Sequence, residues 1–130
     1  MAYIGVLVAG IAGFAIGAVW YGLFSKQWIK AAGIAVDADG KPQGGSPLLM
    51  SLGFLCVLVV AGMMRHTFAM SGIDTLGMGV IGGLGIGLFF ITPWITLNAL
   101  FAVKPKELPM IDGGYASIGC AVMGGVLTFF

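Results

Sequence analysis

The sequence predicts an all-α membrane protein: a single transmembrane domain, residues 1–130, of four helices in an up-down bundle with packing ridges of small residues. Three observations carry this. The chain is 59% hydrophobic and 8% charged, against roughly 45–50% apolar and about 25% charged in soluble domains. Its apolar residues gather into four runs, each close to the roughly 20 residues that cross the hydrocarbon layer of a bilayer. Within those runs Gly, Ala and Ser recur at every fourth position, which stacks them on one helix face and lets a neighbouring helix come close.

The longest run, Thr75 to Val103, is the segment around which the sequence is organised. It has 29 residues, no charge and six glycines. That is enough to span a bilayer with room to tilt. In lipid each backbone amide must be satisfied within its own segment, so the run is read as a helix. Gly79, Gly83 and Gly87 form its ridge. Pro93 has no N–H and its ring conflicts with the carbonyl of Phe89, which predicts a kink. Thr92 and Thr96 stand where hydroxyls help to satisfy the freed backbone, and Asn98 follows toward the helix end.

The other helices are placed at about residues 2–24, 48–70 and 110–130. No positive charge precedes the first run, and no small-residue cleavage site leads to a polar sequence, so it is read as a retained helix rather than a signal peptide. Its ridge is Gly5, Ala9, Gly13 and Gly17. Trp20, Tyr21 and Trp28 then mark a membrane–water interface, where amphipathic rings settle. Residues 25–47 form the one long polar connection, with Lys26, Lys30 and Lys41 set against Asp37 and Asp39. SKQWIKAAG suits a short surface helix, but the plainer reading is a solvated loop with snorkelling lysines. DADGKPQGGSP is turn chemistry throughout.

Arg65 and His66 lie near the end of the second helix, at an interface or facing other helices, because charge at the bilayer centre is costly. Residues 103–109 read as a short charged turn. The fourth helix carries the ridge Gly113, Ser117, Ala121 and Gly125. Asp112 falls in its predicted first turn, where the helix N-terminus favours a carboxylate. Cys56 and Cys120 both lie in apolar runs and are read as small buried residues.

The loops after the first and third helices share one side and hold Lys26, Lys30, Lys41, Lys104 and Lys106, against Arg65 alone opposite. The positive-inside rule puts the lysine loops in the cytoplasm and both termini outside. The first and third helices end in similar phrases, GLFSK and ALFAVK, which hints at a duplicated helical hairpin.

Two stretches resemble a known family. GAVWYGLFSKQWIKAAG and LNALFAVKPKELPMIDGGYASIGCAVMGG are similar to the signatures of small bacterial membrane proteins grouped as domain of unknown function 1761. The resemblance rests on Trp20, Tyr21, Trp28, Asn98, Phe101, Pro105, Gly114 and Tyr115. It implies four helices in the bacterial inner membrane and no established activity. The chain departs from that pattern at Asp112, where an amide is common, and at Ala116, where a histidine often follows the Gly–Tyr pair.

The sequence offers no catalytic, cofactor or metal constellation: there is one histidine, no Cys-x-x-Cys, and no phosphate loop or nucleophile elbow. GMGVIGGLGIG lies inside a span rather than between a strand and a helix, so it is packing surface and not a nucleotide fingerprint. A net charge of +1 gives no field for nucleic acid. Polar groups gather at the lysine side, where Asn98, Asp112 and Tyr115 are expected to form a hydrogen-bonded cluster if the first, third and fourth helices adjoin. No span has an ionisable residue near its centre, which argues against an ion-coupled carrier. The expected function is a non-enzymatic membrane subunit, with lipids as neighbours and a homo-oligomer or larger complex as its setting, because three small-residue ridges exceed what one bundle needs. The alternative is a small carrier or channel for a neutral or lipid-like solute, lined by the Pro93 kink, Thr92, Thr96 and Asn98.

Overall fold

A computed structural model describes residues 2–42 and 45–130. Met1, in the first predicted helix, and Gln43 and Gly44, in the turn-rich loop, lie outside the described residues. The helices are α1 (Ala2–Leu23), α2 (Ser25–Ala32), α3 (Pro47–Ser71), α4 (Leu76–Gly85), α5 (Thr92–Phe101) and α6 (Glu107–Leu127), with a π-helical segment, Ile86–Ile91, between α4 and α5. α1, α3, the continuous stretch Leu76–Phe101 and α6 are each long and apolar enough to cross a membrane. This is a membrane protein, and its polar backbone groups are satisfied inside its helices as a lipid solvent requires.

Local chemistry sets the ends. Ser46 caps α3 by accepting the Leu49 N–H at 3.2 Å, with Pro47 at the first position, where its missing N–H costs nothing. Thr75 caps α4 through the Met78 N–H at 3.3 Å. Gly72 ends α3 with φ +69°, the left-handed turn that favours glycine. In the long loop the Asp37 carboxylate accepts the N–H groups of Asp39 and Lys41 at 3.0 and 2.9 Å, the expected turn chemistry.

The structure revises several expectations. SKQWIKAA is a helix, α2, ended by a left-handed Gly33, and it packs on α6 rather than forming a solvated loop. α6 begins at Glu107, three residues before its expected start. Pro109 falls in the first turn, where no intrahelical donor is lost. Asp112 is therefore in the second turn and does not cap the helix. The Pro93 kink takes the form of the π segment, in which the Thr92 N–H reaches back to the Gly87 carbonyl. Cys120 is buried, as expected, but Cys56 is exposed on the outer face of α3.

The larger revision concerns the centre. α6, not the glycine-rich third span, is the helix around which the others assemble. It packs against α1, α3, α4, the π segment and α5, and half of its most apolar window is buried, against 22% or less in the other spans. Every predicted ridge is covered from within the chain. Gly13 lies against Met123 and Gly17 against the Tyr115 ring. Gly79 faces the backbone of Gly124, Gly83 that of Cys120, Gly87 that of Ala116 and Ser117, and Gly125 the side chains of Val80 and Leu76. A Cβ at Gly79 would stand 2.5 Å from the Gly124 carbonyl oxygen, so these helices touch backbone to backbone.

α1 and the third span flank α6 on two sides, both antiparallel to it. α3 packs on α1, but meets the third span only at α4 and makes no close backbone approach to the π segment or α5. The bundle is thus not a symmetric pair of hairpins. Its tight half, built on Ala9, Ala61, Met64, Phe68, Met123 and Leu127, lies toward the helix ends at Ala2 and Leu127. Its loose half lies toward the lysine loops.

Candidate functional site

The loose half encloses a hollow of about 350 Å³, open on one side. It sits between α1, α3, α5 and α6. Val57 and Val60 of α3 form one wall, and Ile91 and Ile95 of the third span form the facing one. Cys120 and Met123 close it toward the tight half, and Tyr21, Trp28, Asp112 and Tyr115 form its end toward the lysine loops. The hollow falls within the roughly 300–1,000 Å³ range of small-ligand sites, and like them it is mostly apolar with a few convergent polar groups.

Each polar side chain is placed by a different element. The spacing of four that gives Gly13 and Gly17 continues to Tyr21, so the ridge that seats α6 ends in a phenol aimed at it. The Tyr21 hydroxyl donates to the Asp112 carboxylate at 2.6 Å. Tyr115, one turn along α6, donates to the Gly13 carbonyl at 2.9 Å and stacks edge-on against Tyr21 at 5.5 Å between ring centres. α2 brings Trp28 over the same place, edge-on to Tyr21 at 5.4 Å and beside the carboxylate. Trp20 lies just outside; its indole N–H donates to the Ile111 carbonyl at 2.9 Å, and its ring fills the space that Gly114 leaves open. These aromatic residues tie α1 and α2 to α6.

The expected cluster of Asn98, Asp112 and Tyr115 is only partly formed. Asp112 and Tyr115 line one hollow, but Tyr21 stands between them as the carboxylate's partner. Asn98 is exposed and shares with Asp112 and Lys104 a shallower hollow on the far side of the carboxylate. The Lys104 ammonium donates to the Ala32 carbonyl at 3.4 Å. Thr92 and Thr96 do not reach the main hollow. The Thr92 hydroxyl lies 2.7 Å from the Gly87 carbonyl and 3.1 Å from that of Gly113, while Thr96 donates to the Thr92 carbonyl at 2.7 Å. Both are used in mending the backbone around Pro93, as the sequence suggests, and both line a separate hollow of about 410 Å³ with Ala99, Lys104 and Lys106.

The apolar walls escaped the sequence reading because Val, Ile and Met facing a gap are indistinguishable from the same residues facing lipid. Ala116 also lines the hollow. At the opposite end, Arg65 donates to the Leu127 carbonyl at 3.5 Å, a cation at the negative end of α6.

Fold and site together define a class: an integral membrane protein of four spanning helices, with an apolar hollow among them that has a few polar groups at one end. The chain belongs to the family described as "Protein of unknown function (DUF1761)", which it matches over residues 4–128. No curated protein and no solved structure matches it.

Proposed function

We propose that this is a non-enzymatic protein of the bacterial inner membrane that takes up a lipid-like molecule through the side of its bundle. The observation that carries this is the absence, among the described residues, of a close backbone approach between α3 and α5, beside an apolar hollow that is open on one side and has one polar end. A second groove of about 510 Å³ between α3 and the π segment shares Val60 and Ile91 with it. In this reading the two form one trough from Thr67 to Trp28, suited to a chain with a head at the lysine end. In the same reading the lysine loops lie in the cytoplasm and the helix ends at Ala2 and Leu127 outside, supported by five lysines at one end against Arg65 at the other.

Native mass spectrometry of protein released from lipid nanodiscs tests it. One bound amphiphile per chain is expected, lost when Val60→Trp fills the trough. Bare wild-type protein overturns the proposal. The second reading keeps the homo-oligomer or larger membrane complex. The ridges that suggested it are covered within the chain, but the open side between α3 and α5 is a face that a second copy or a partner helix would close. A released mass of two or more chains, with no bound amphiphile, favours that reading.

A further inference from the structure

We propose that the hollow selects an amphiphilic organic cation, an alkyl chain ending in an ammonium group, with the ammonium held between the Asp112 carboxylate and the rings of Tyr21, Trp28 and Tyr115. This rests on the reading of the trough as a ligand site and names the chemistry of its polar end.

Asp112 is the one acidic residue lining the hollow, half-buried on an otherwise apolar and aromatic wall. Its hydrogen-bonding neighbours are both neutral, the Tyr21 phenol and the Trp28 indole. The nearest lysine of the adjoining hollow, Lys104, directs its ammonium to the Ala32 carbonyl instead, and among the described residues no protein cation pairs with the carboxylate. A half-buried carboxylate without a counter-ion attracts a ligand cation more strongly than an exposed one, because less water screens it. The surrounding rings add to this. Tyr21 stands nearly perpendicular to Trp28 and to Tyr115, at 70° and 75°, so π faces and edges meet at one corner. Faces of Tyr and Trp beside an anion are the chemistry that recognises alkylammonium groups.

Geometry supplies the tail. The hollow is open on one side, and a second groove along α3 shares Val60 and Ile91 with it. A cation anchored at Asp112 therefore leaves its alkyl chain in the trough, entering from the bilayer without crossing a polar barrier. An anionic head of the same length meets the Asp112 charge. An alcohol satisfies a hydrogen bond but gains nothing from the rings.

The test uses the full chain in zwitterionic nanodiscs and three twelve-carbon probes: dodecyltrimethylammonium, dodecanol and dodecanoate. Binding is read as saturable change in tryptophan emission and as a shift in thermal unfolding. The ammonium probe is expected to bind about tenfold or more tightly than the alcohol, with the carboxylate weakest, and Asp112→Asn is expected to abolish that order. Equal binding of all three probes, blocked by Val60→Trp, overturns the cation selectivity while leaving the trough as a lipid-like site. Ammonium preference that survives in Asp112→Asn also overturns it. Absence of saturable binding in the wild type, whether the trough is unused or covered by a second copy, overturns both readings.

Discussion

The Tyr21 hydroxyl and the Asp112 carboxylate meet at 2.6 Å although 91 residues separate them. The bond joins the end of α1 to the second turn of α6 and fixes the floor of the hollow. A short hydrogen bond to an ionised acceptor contributes about 1.5–3 kcal/mol, and less where water reaches it. A double-mutant cycle of Tyr21→Phe and Asp112→Asn, read by unfolding in lipid, is expected to give a coupling toward the lower end of that range. A coupling indistinguishable from zero would show that the pair does not hold α1 to α6.

Glycines in this chain divide by what faces them. Gly83→Leu drives a side chain into the Cys120 backbone, and because that contact is backbone to backbone no rotamer change relieves it. Loss of about 3 kcal/mol or more, or failure to assemble, is expected. Gly85 has nothing within 4 Å of an added Cβ, so Gly85→Leu is expected to change stability by about 0.5 kcal/mol at most. Equal effects of the two substitutions would refute the packing of α4 on α6.

Thr92 carries a hydroxyl shared between two helices, through the carbonyls of Gly87 and Gly113. Thr92→Val removes both contacts at nearly constant volume. Interhelical hydrogen bonds in membranes average about 0.6 kcal/mol, and a loss of that order is expected. Thr96→Val, which breaks only a bond within its own turn, is expected to cost less. The comparison is made by unfolding both variants beside the wild type.

Sidedness is tested by labelling single cysteines in a background lacking Cys56 and Cys120. Lys41→Cys and Lys106→Cys are expected to react with an impermeant maleimide from the cytoplasmic side, and His66→Cys from the other. Reaction of Lys41→Cys and Lys106→Cys from opposite sides would break the four-span topology.

Much of the fold was legible because lipid leaves the backbone few choices. Uncharged runs of span length have to be helices, and the predicted ends at residues 24, 48, 70 and 103 lie within two residues of those observed. Spacing by four also marked the faces in contact. What spacing does not reveal is which helix a ridge meets. The ridges of α1 and α4 both seek α6, and they looked like surplus surface only because their common partner was not known. The sequence puts Asp112 in a first turn because Pro109 reads as a boundary, whereas α6 starts at Glu107 and the proline falls within its first turn. The signal for the true partner of Asp112 was present in the series Gly13, Gly17, Tyr21. Nothing in the sequence marks Val57, Val60, Ile91 and Ile95 as walls of a gap, since the lack, among the described residues, of a close backbone approach between α3 and α5 leaves no trace in either helix.

The central place of α6 sets chain order against assembly order. Domains generally form from the N-terminal side during synthesis, yet here the first three spans have little to pack on but the α1–α3 pair. Their bare glycine faces must wait in the bilayer until Glu107–Leu127 inserts and gives each its match. Until then the nascent chain is a set of loosely tethered rods exposed to whichever neighbours share the membrane.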